Sequence, residues 1–138
     1  MNENFPLPNN YKEWLSHVKD AYCVSYNGRC WFISTLDEMK QDVVIDKRCT
    51  PAWQQLKSLT EMFAELSGVE VTTDQEGKEI ELKRLSGCVV IGDDNGDPLY
   101  FDPSDNNSVW CYYLGGGDVE KITNSLEQFM KKAEIINE

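Results

Sequence analysis

The side chains that could do chemistry in this chain are one histidine, five cysteines and a dense set of carboxylates. His17, the single imidazole, stands beside Ser16 and Lys19 with no carboxylate or thiol close by in sequence. A nucleophile–base dyad would need a distant cysteine such as Cys23 or Cys49 to come to it. The cysteines at 23, 30, 49, 88 and 111 form no CxxC pair and are odd in number, which reads as reduced thiols. The segment GDDNGDP, Gly92 to Pro98, alternates Asp93, Asn95 and Asp97 as the oxygen ligands of a calcium loop would. Its register then fails, because an EF-hand counted from Asp93 needs a mid-loop glycine and a closing glutamate where this chain has Pro98 and Ser104. That leaves a hairpin turn carrying solvated carboxylates. Gly115 to Asp118, GGGD, has the look of an anion cradle before a helix, yet GxGxxG is absent and Asp118 would repel a phosphate. Pairs of carboxylates are inevitable among 24 acidic residues and do not mark a hydrolase. The expectation is a chain without catalytic residues, metal or cofactor, and hence a binding protein rather than an enzyme.

Composition narrows the partner. The 138 residues carry 24 acidic against 13 basic side chains, a formal net charge of −11. Nucleic acid is bound by Lys and Arg displacing condensed counterions, so an acidic surface repels it, and anionic membranes are disfavoured for the same reason. A basic protein partner is favoured, through electrostatic steering. With 41% hydrophobic and 11% aromatic residues the chain can bury a core of its own, and no linker divides it, so residues 1–138 read as a single domain. The polar start, MNENFPLPNN, shows no leader, and no apolar run approaches the ~20 residues that span a bilayer. These features place the protein in the cytoplasm.

Those groups must be positioned by elements legible from spacing. Tyr11, Trp14, Leu15 and Val18 form a helical stripe with Asn9 or Asn10 as its cap. Tyr22–Tyr26 and Arg29–Ile33 flank Asn27-Gly28, a hairpin turn signature. Ser34 or Thr35 caps a short helix through Leu36 and Met39. A longer helix starts at Thr50 with Pro51 in its first turn and carries Trp53, Leu56, Leu59, Met62, Phe63 and Leu66 to a stop at Gly68. Val69–Thr73 and Ile80–Leu85 read as a second hairpin. Cys88-Val89-Val90-Ile91 is a strand covered on both faces and central in its sheet. Asn95-Gly96 turns it into Leu99–Asp102, and Val109–Tyr113 completes a meander. Gly115 to Gly117 then make a joint before a last helix capped by Asp118, carrying Val119, Ile122, Leu126, Phe129 and Met130.

Trp14 and Trp53 lie on helix stripes and are assigned to the core. Trp110 and Tyr112 share one face of their strand, and an exposed aromatic pair rimmed by Asp102 and Asp105 would make a binding patch. Together with Asp93, Asp94 and Asp97, these residues are the expected partner contacts.

Three segments have a familiar order: LPNNYKEWL, then VVIGDDNGDPLYFDPSDNNSVWCYYL, then ITNSLEQFMKKA. The chain resembles the SMI1/KNR4 family of the SUKH superfamily, through Leu7, Pro8, Tyr11, Trp14 and Leu15, then Gly96, Asp97, Tyr100 and Asp102, then Ser125, Leu126, Phe129 and Met130. Between Asp42 and Arg84 it departs from that pattern. The resemblance implies an α+β domain with a central twisted, mostly antiparallel sheet flanked by helices and no catalytic apparatus. It also implies an immunity protein that neutralises a cognate bacterial toxin, a nuclease or other contact-delivered effector, by direct contact. The alternative is a regulatory or scaffold module of the same fold that binds a cellular protein.

Overall fold

The computed structural model describes residues 7–137. The polar start, read above as lacking a leader, falls largely in residues 1–6, outside the described residues. In chain order the elements are α1 (Asn9–Val18), β1 (Cys23–Tyr26), β2 (Arg29–Ile33), α2 (Leu36–Lys40), β3 (Asp42–Ile45) and β4 (Arg48–Pro51). A 3-10 turn (Ala52–Gln54) leads into α3 (Gln55–Ser67), then β5 (Val71–Thr73), β6 (Glu79–Glu81) and α4 (Leu82–Leu85). The chain closes with β7 (Val89–Asp94), β8 (Asp97–Asp102), β9 (Ser108–Tyr112), β10 (Val119–Thr123), α5 (Leu126–Lys132) and β11 (Glu134–Ile136).

The main sheet has seven antiparallel strands in the order β10-β9-β8-β7-β2-β1-β11. β7 is its middle strand, as the continuous apolar run Val89-Val90-Ile91 requires of a strand covered on both sides. Alternate residues of the meander enter two separate cores. Val89, Ile91, Leu99, Phe101, Val109 and Cys111 face α1 and α5, packing with Tyr11, Leu15, Leu126 and Phe129. Val90, Tyr100, Trp110 and Tyr112 enter the other, with Leu56 and Leu59 of α3, Ile80 and Leu85. The α+β class and the flanked antiparallel sheet expected from the sequence are what the chain forms.

Turn chemistry decides the hairpins. Asn27 and Gly28 both take positive φ, 51° and 78°, and Asn95 and Gly96 do so at 53° and 94°, as a two-residue turn matched to strand twist demands. A further hairpin, β3–β4, turns on Asp46 and Lys47 at φ 50° and 69°, a pair without the Asn-Gly signature, and so the sequence reading passed over it. It likewise missed β11, a three-residue edge strand paired with β1. Gly92 sits where β7 meets β2, and a Cβ there would lie 2.1 Å from the Phe32 carbonyl oxygen. No other residue fits that approach.

Several expectations give way to tertiary packing. Pro8 holds the cap position of α1 and makes no side-chain cap bond, so neither Asn9 nor Asn10 caps it. Thr35 does cap α2, in a reciprocal capping box with Glu38. Thr50 and Pro51 belong to β4, and the helix proper starts only at Gln55. Leu66 is 81% exposed because the core ends a turn before it. Ile80 is paired in β6, but Leu82–Leu85 turn into a short helix whose Leu82 and Leu85 are buried.

The largest correction concerns the last helix. Val119–Thr123 is a strand paired with β9, and α5 begins at Leu126 under a Ser125 cap that accepts the Gln128 N–H. Alternation puts Val119 in one core and Ile122, three residues on, against the other, and a register shift follows between Lys121 and Thr123. The same three-residue spacing fits one face of a helix, which is how the reading went astray. Gly115 to Gly117 are therefore part of the β9–β10 connection, with the Gly117 N–H donating to the Tyr113 carbonyl at 2.7 Å.

Candidate functional site

The sequence-predicted contact residues do not form one patch. Asp93, Asp94 and Asp97 lie around the β7–β8 turn, whereas Asp102 and Asp105 lie at the far end of β8, about 17 Å away along five residues of strand. Trp110 and Tyr112 are only 6% and 3% exposed, closed over by α3 and its neighbours, so the exposed aromatic pair is not there. The alternation of β9 was read correctly. What single-strand periodicity missed is that α3 covers the second face of this half of the sheet.

Most of these carboxylates already have internal duties. Asp93 accepts the Gly96 N–H at 2.8 Å and closes the turn, while Asp97 accepts the Leu114 N–H at 3.0 Å and ties that turn to the β9–β10 connection. Asp94 pairs with Arg29 at 2.9 Å. The same guanidinium donates to the Tyr113 hydroxyl at 2.9 Å and lies 4.2 Å from the Trp31 ring centre. Burial works against the charge on Arg29, but the bonds to Asp94 and Tyr113 outweigh it and raise its pKa. The Tyr113 phenol is pushed up to about 12, by burial first and then by its hydrogen bond to Glu120.

At the other end, Asp102 is buried and accepts from Arg84 Nε at 2.5 Å and from the Ser104 N–H at 2.9 Å. Asp105 accepts the Ser108 hydroxyl at 2.8 Å and lies 3.5 Å from Arg84. Trp110 donates its indole N–H to the Ser108 oxygen at 2.7 Å, with Arg84 and Lys121 beside the ring. This cluster braces the β8–β9 loop against α4. Asp93, Asp94, Asp97 and Asp105 keep a face toward solvent, and Asp102 does not.

A surface not singled out in the sequence is more open. Between α3 and the β5–β6 hairpin with α4 runs a groove of about 570 Å³. Ala64, Val71 and Leu82 supply apolar lining, and Glu61, Glu65, Glu70 and Glu81 stand along it against Lys57 and Lys83. Glu61 pairs with Lys57 and Arg48, and Glu65 with Arg48; among the described residues Glu70 and Glu81 have no ion pair. Val69, between the lining residues Gly68 and Glu70, is 44% exposed at its edge, whereas Leu66, 81% exposed, projects from the opposite side of α3. Sequence did signal part of this, since Glu61 and Glu65 are a helical turn apart.

His17 is exposed near the end of α1. Among the described residues no group of three or more His, Cys, Asp or Glu side chains is placed to hold a metal ion. Among the same residues no helix is long and apolar enough to cross a membrane.

The antiparallel sheet is flanked by α1 and α5 on one face and α3 on the other. The family model described as SMI1 / KNR4 family (SUKH-1) matches residues 2–132, nearly the whole chain. The chain belongs to the SMI1/KNR4 family. No curated protein and no solved structure matches it. The residues that carried the resemblance now have physical roles. Tyr11, Leu15, Tyr100, Leu126 and Phe129 are core, Gly96 makes a turn at φ 94°, and Asp102 anchors Arg84. They hold the fold together. The groove is lined instead by residues between Lys57 and Ser86, inside the matched span.

Proposed function

We propose that this SMI1/KNR4 domain is an immunity protein that binds a cognate toxin in the cytoplasm and blocks it by direct contact. The observation that carries the reading is the acid-lined groove beside α3, with Ala64, Val71 and Leu82 among its lining and exposed Val69 at its edge, on a chain of net charge −11. An apolar centre with a charged rim is the composition of a protein interface, and charge complementarity raises association rate and specificity toward a basic partner. A nuclease is basic where it holds its polyanionic substrate, which makes it a fitting target. Family membership supports the immunity class. Asp93, Asp94 and Asp97 at the β7–β8 turn form a second acidic rim available to the same partner, and Asp105 a third.

The test is co-expression with the polymorphic toxin encoded beside its gene. Growth rescue, a purified complex of the two chains, and an association rate that falls as salt rises are the expected results. A complex with a housekeeping protein and no rescue would favour a regulatory or scaffold module. On-rates that stay flat with salt would remove the electrostatic argument.

A further inference from the structure

Two thiols meet away from the groove, one buried and one exposed. In the β1–β2 hairpin Ser25 stands opposite Cys30, so Cys23, two residues away on β1, projects from the same face and is diagonal to Cys30. Their sulfurs are 2.7 Å apart, inside van der Waals contact, with Cys23 donating to Cys30. Cys23 is buried and Cys30 exposed, so one sulfur is open to a solute and its neighbour is held against it. This half of the face is open at the surface: Tyr22 and Phe32 meet edge-on at 5.6 Å beside the pair, and both are exposed, as is Ile136 opposite Cys23 on β11.

We infer that Cys23 and Cys30 form a peroxide-oxidisable dithiol that closes to an intrachain disulfide across the β1–β2 hairpin. Cys30 attacks one oxygen of hydrogen peroxide; the O–O bond breaks, Cys30 becomes a sulfenic acid, and hydroxide leaves with the thiol's proton as water. The Cys23 sulfur then attacks the Cys30 sulfur. The S–O bond breaks, and the departing hydroxide takes the Cys23 proton as a second water. The two thiols have lost two electrons and two protons, and peroxide has accepted both. Cys23 is pushed up to about 11, by burial first and by Cys30 after it, which suits it to the second, resolving position rather than to first attack. A reducing cytosol would return the pair to thiols, so the bond is a reversible response and not a structural staple.

Cys49 is the internal control, because it too is exposed, with no second cysteine against it. The experiment treats the native, prereduced protein with graded hydrogen peroxide, counts thiols, and maps disulfides by mass spectrometry without reduction. The expected result is a fall from five free thiols to three, with a Cys23–Cys30 peptide that is lost on adding dithiothreitol, before Cys49 reacts. Cys30→Ser, at an exposed position, should leave the fold intact and abolish that loss of two thiols, with Cys49→Ser leaving it unchanged. Oxidation of Cys49 at or below the same peroxide level, or Cys30 advancing to sulfinic acid without joining Cys23, would overturn the proposal. None of these outcomes depends on whether a toxin is bound.

Discussion

Arg84 holds Asp102 through a 2.5 Å contact from Nε, with the carboxylate only 4% exposed and the guanidinium about a third exposed. The acid of the Tyr100-x-Asp102 motif is thus an anchor for α4 and the β8–β9 loop. Asp102→Asn keeps the size but removes the charge opposite Arg84. Breaking a fully buried pair costs about 3–5 kcal/mol, and the exposure of Arg84 brings the expectation here to about 2 kcal/mol. Urea unfolding would measure it, and a loss under about 0.5 kcal/mol would show that Ser104 and water replace the pair.

Gly92→Ala tests the tightest backbone approach in the sheet. The new methyl would meet the Phe32 carbonyl oxygen at 2.1 Å, and since that oxygen belongs to the adjoining strand, β2 must move away from β7. About 3 kcal/mol of destabilisation is expected, the upper part of the range for overpacking. An unchanged melting curve would mean that the bulge between Val90 and Gly92 absorbs the methyl.

Glu70→Lys separates binding from folding. The side chain is exposed on the groove and has no ion pair among the described residues, so stability should change by less than about 0.5 kcal/mol. Affinity for a basic toxin should fall at least about tenfold, because the reversed charge meets like charge across the contact. Titration calorimetry on the wild type and variant reads the difference, and equal affinities would move the contact away from the groove.

Tyr113 supplies a pH dependence. Its phenol titrates at about 12 in the folded protein against 10.0 for the free side chain, so the folded state holds the proton more tightly. The stabilisation from this group is complete below pH 10.0 and is lost as pH rises toward 12. Because Arg29 and Glu120 around it are about a third exposed, solvent screening limits the effect to about 1 kcal/mol. Tyr113→Phe should lose one late-titrating component from the absorbance at 295 nm. It should also flatten the decline in stability over that pH interval. An identical decline in the variant would assign it to other groups.

Wherever one local rule governed, the sequence was sufficient. Asn27-Gly28 and Asn95-Gly96 announce their turns because few residue pairs accept two positive φ values in succession. The run from Cys88 to Ile91 specifies a central strand because only a strand covered on both faces buries consecutive apolar side chains. The stripe of α1, the Thr35 cap and the Gly68 stop follow from nearest-neighbour geometry in the same way. The acidity that points to a basic partner is a property of composition and needs no fold.

Tertiary structure decided what depends on a second element arriving from elsewhere. Alternation in β9 puts Trp110 and Tyr112 on one face, but whether that face meets water depends on α3, which lies more than forty residues earlier in the chain. Val119 and Ile122 have helical spacing, and pairing with β9 made them a bulged strand, because ladder hydrogen bonds and two waiting cores outweigh a weak local preference. Asp97 and Asp102 look alike in sequence. One ties the β7–β8 turn to the β9–β10 connection through the Leu114 N–H and the other is buried against Arg84, because β8 carries them at its opposite ends. The groove exists only where α3 meets the β5–β6 hairpin and α4, and its acids come together there from separate stretches of chain. Burial and juxtaposition are pairwise properties of the fold, so the one-dimensional pattern that fixed the elements could not place the site.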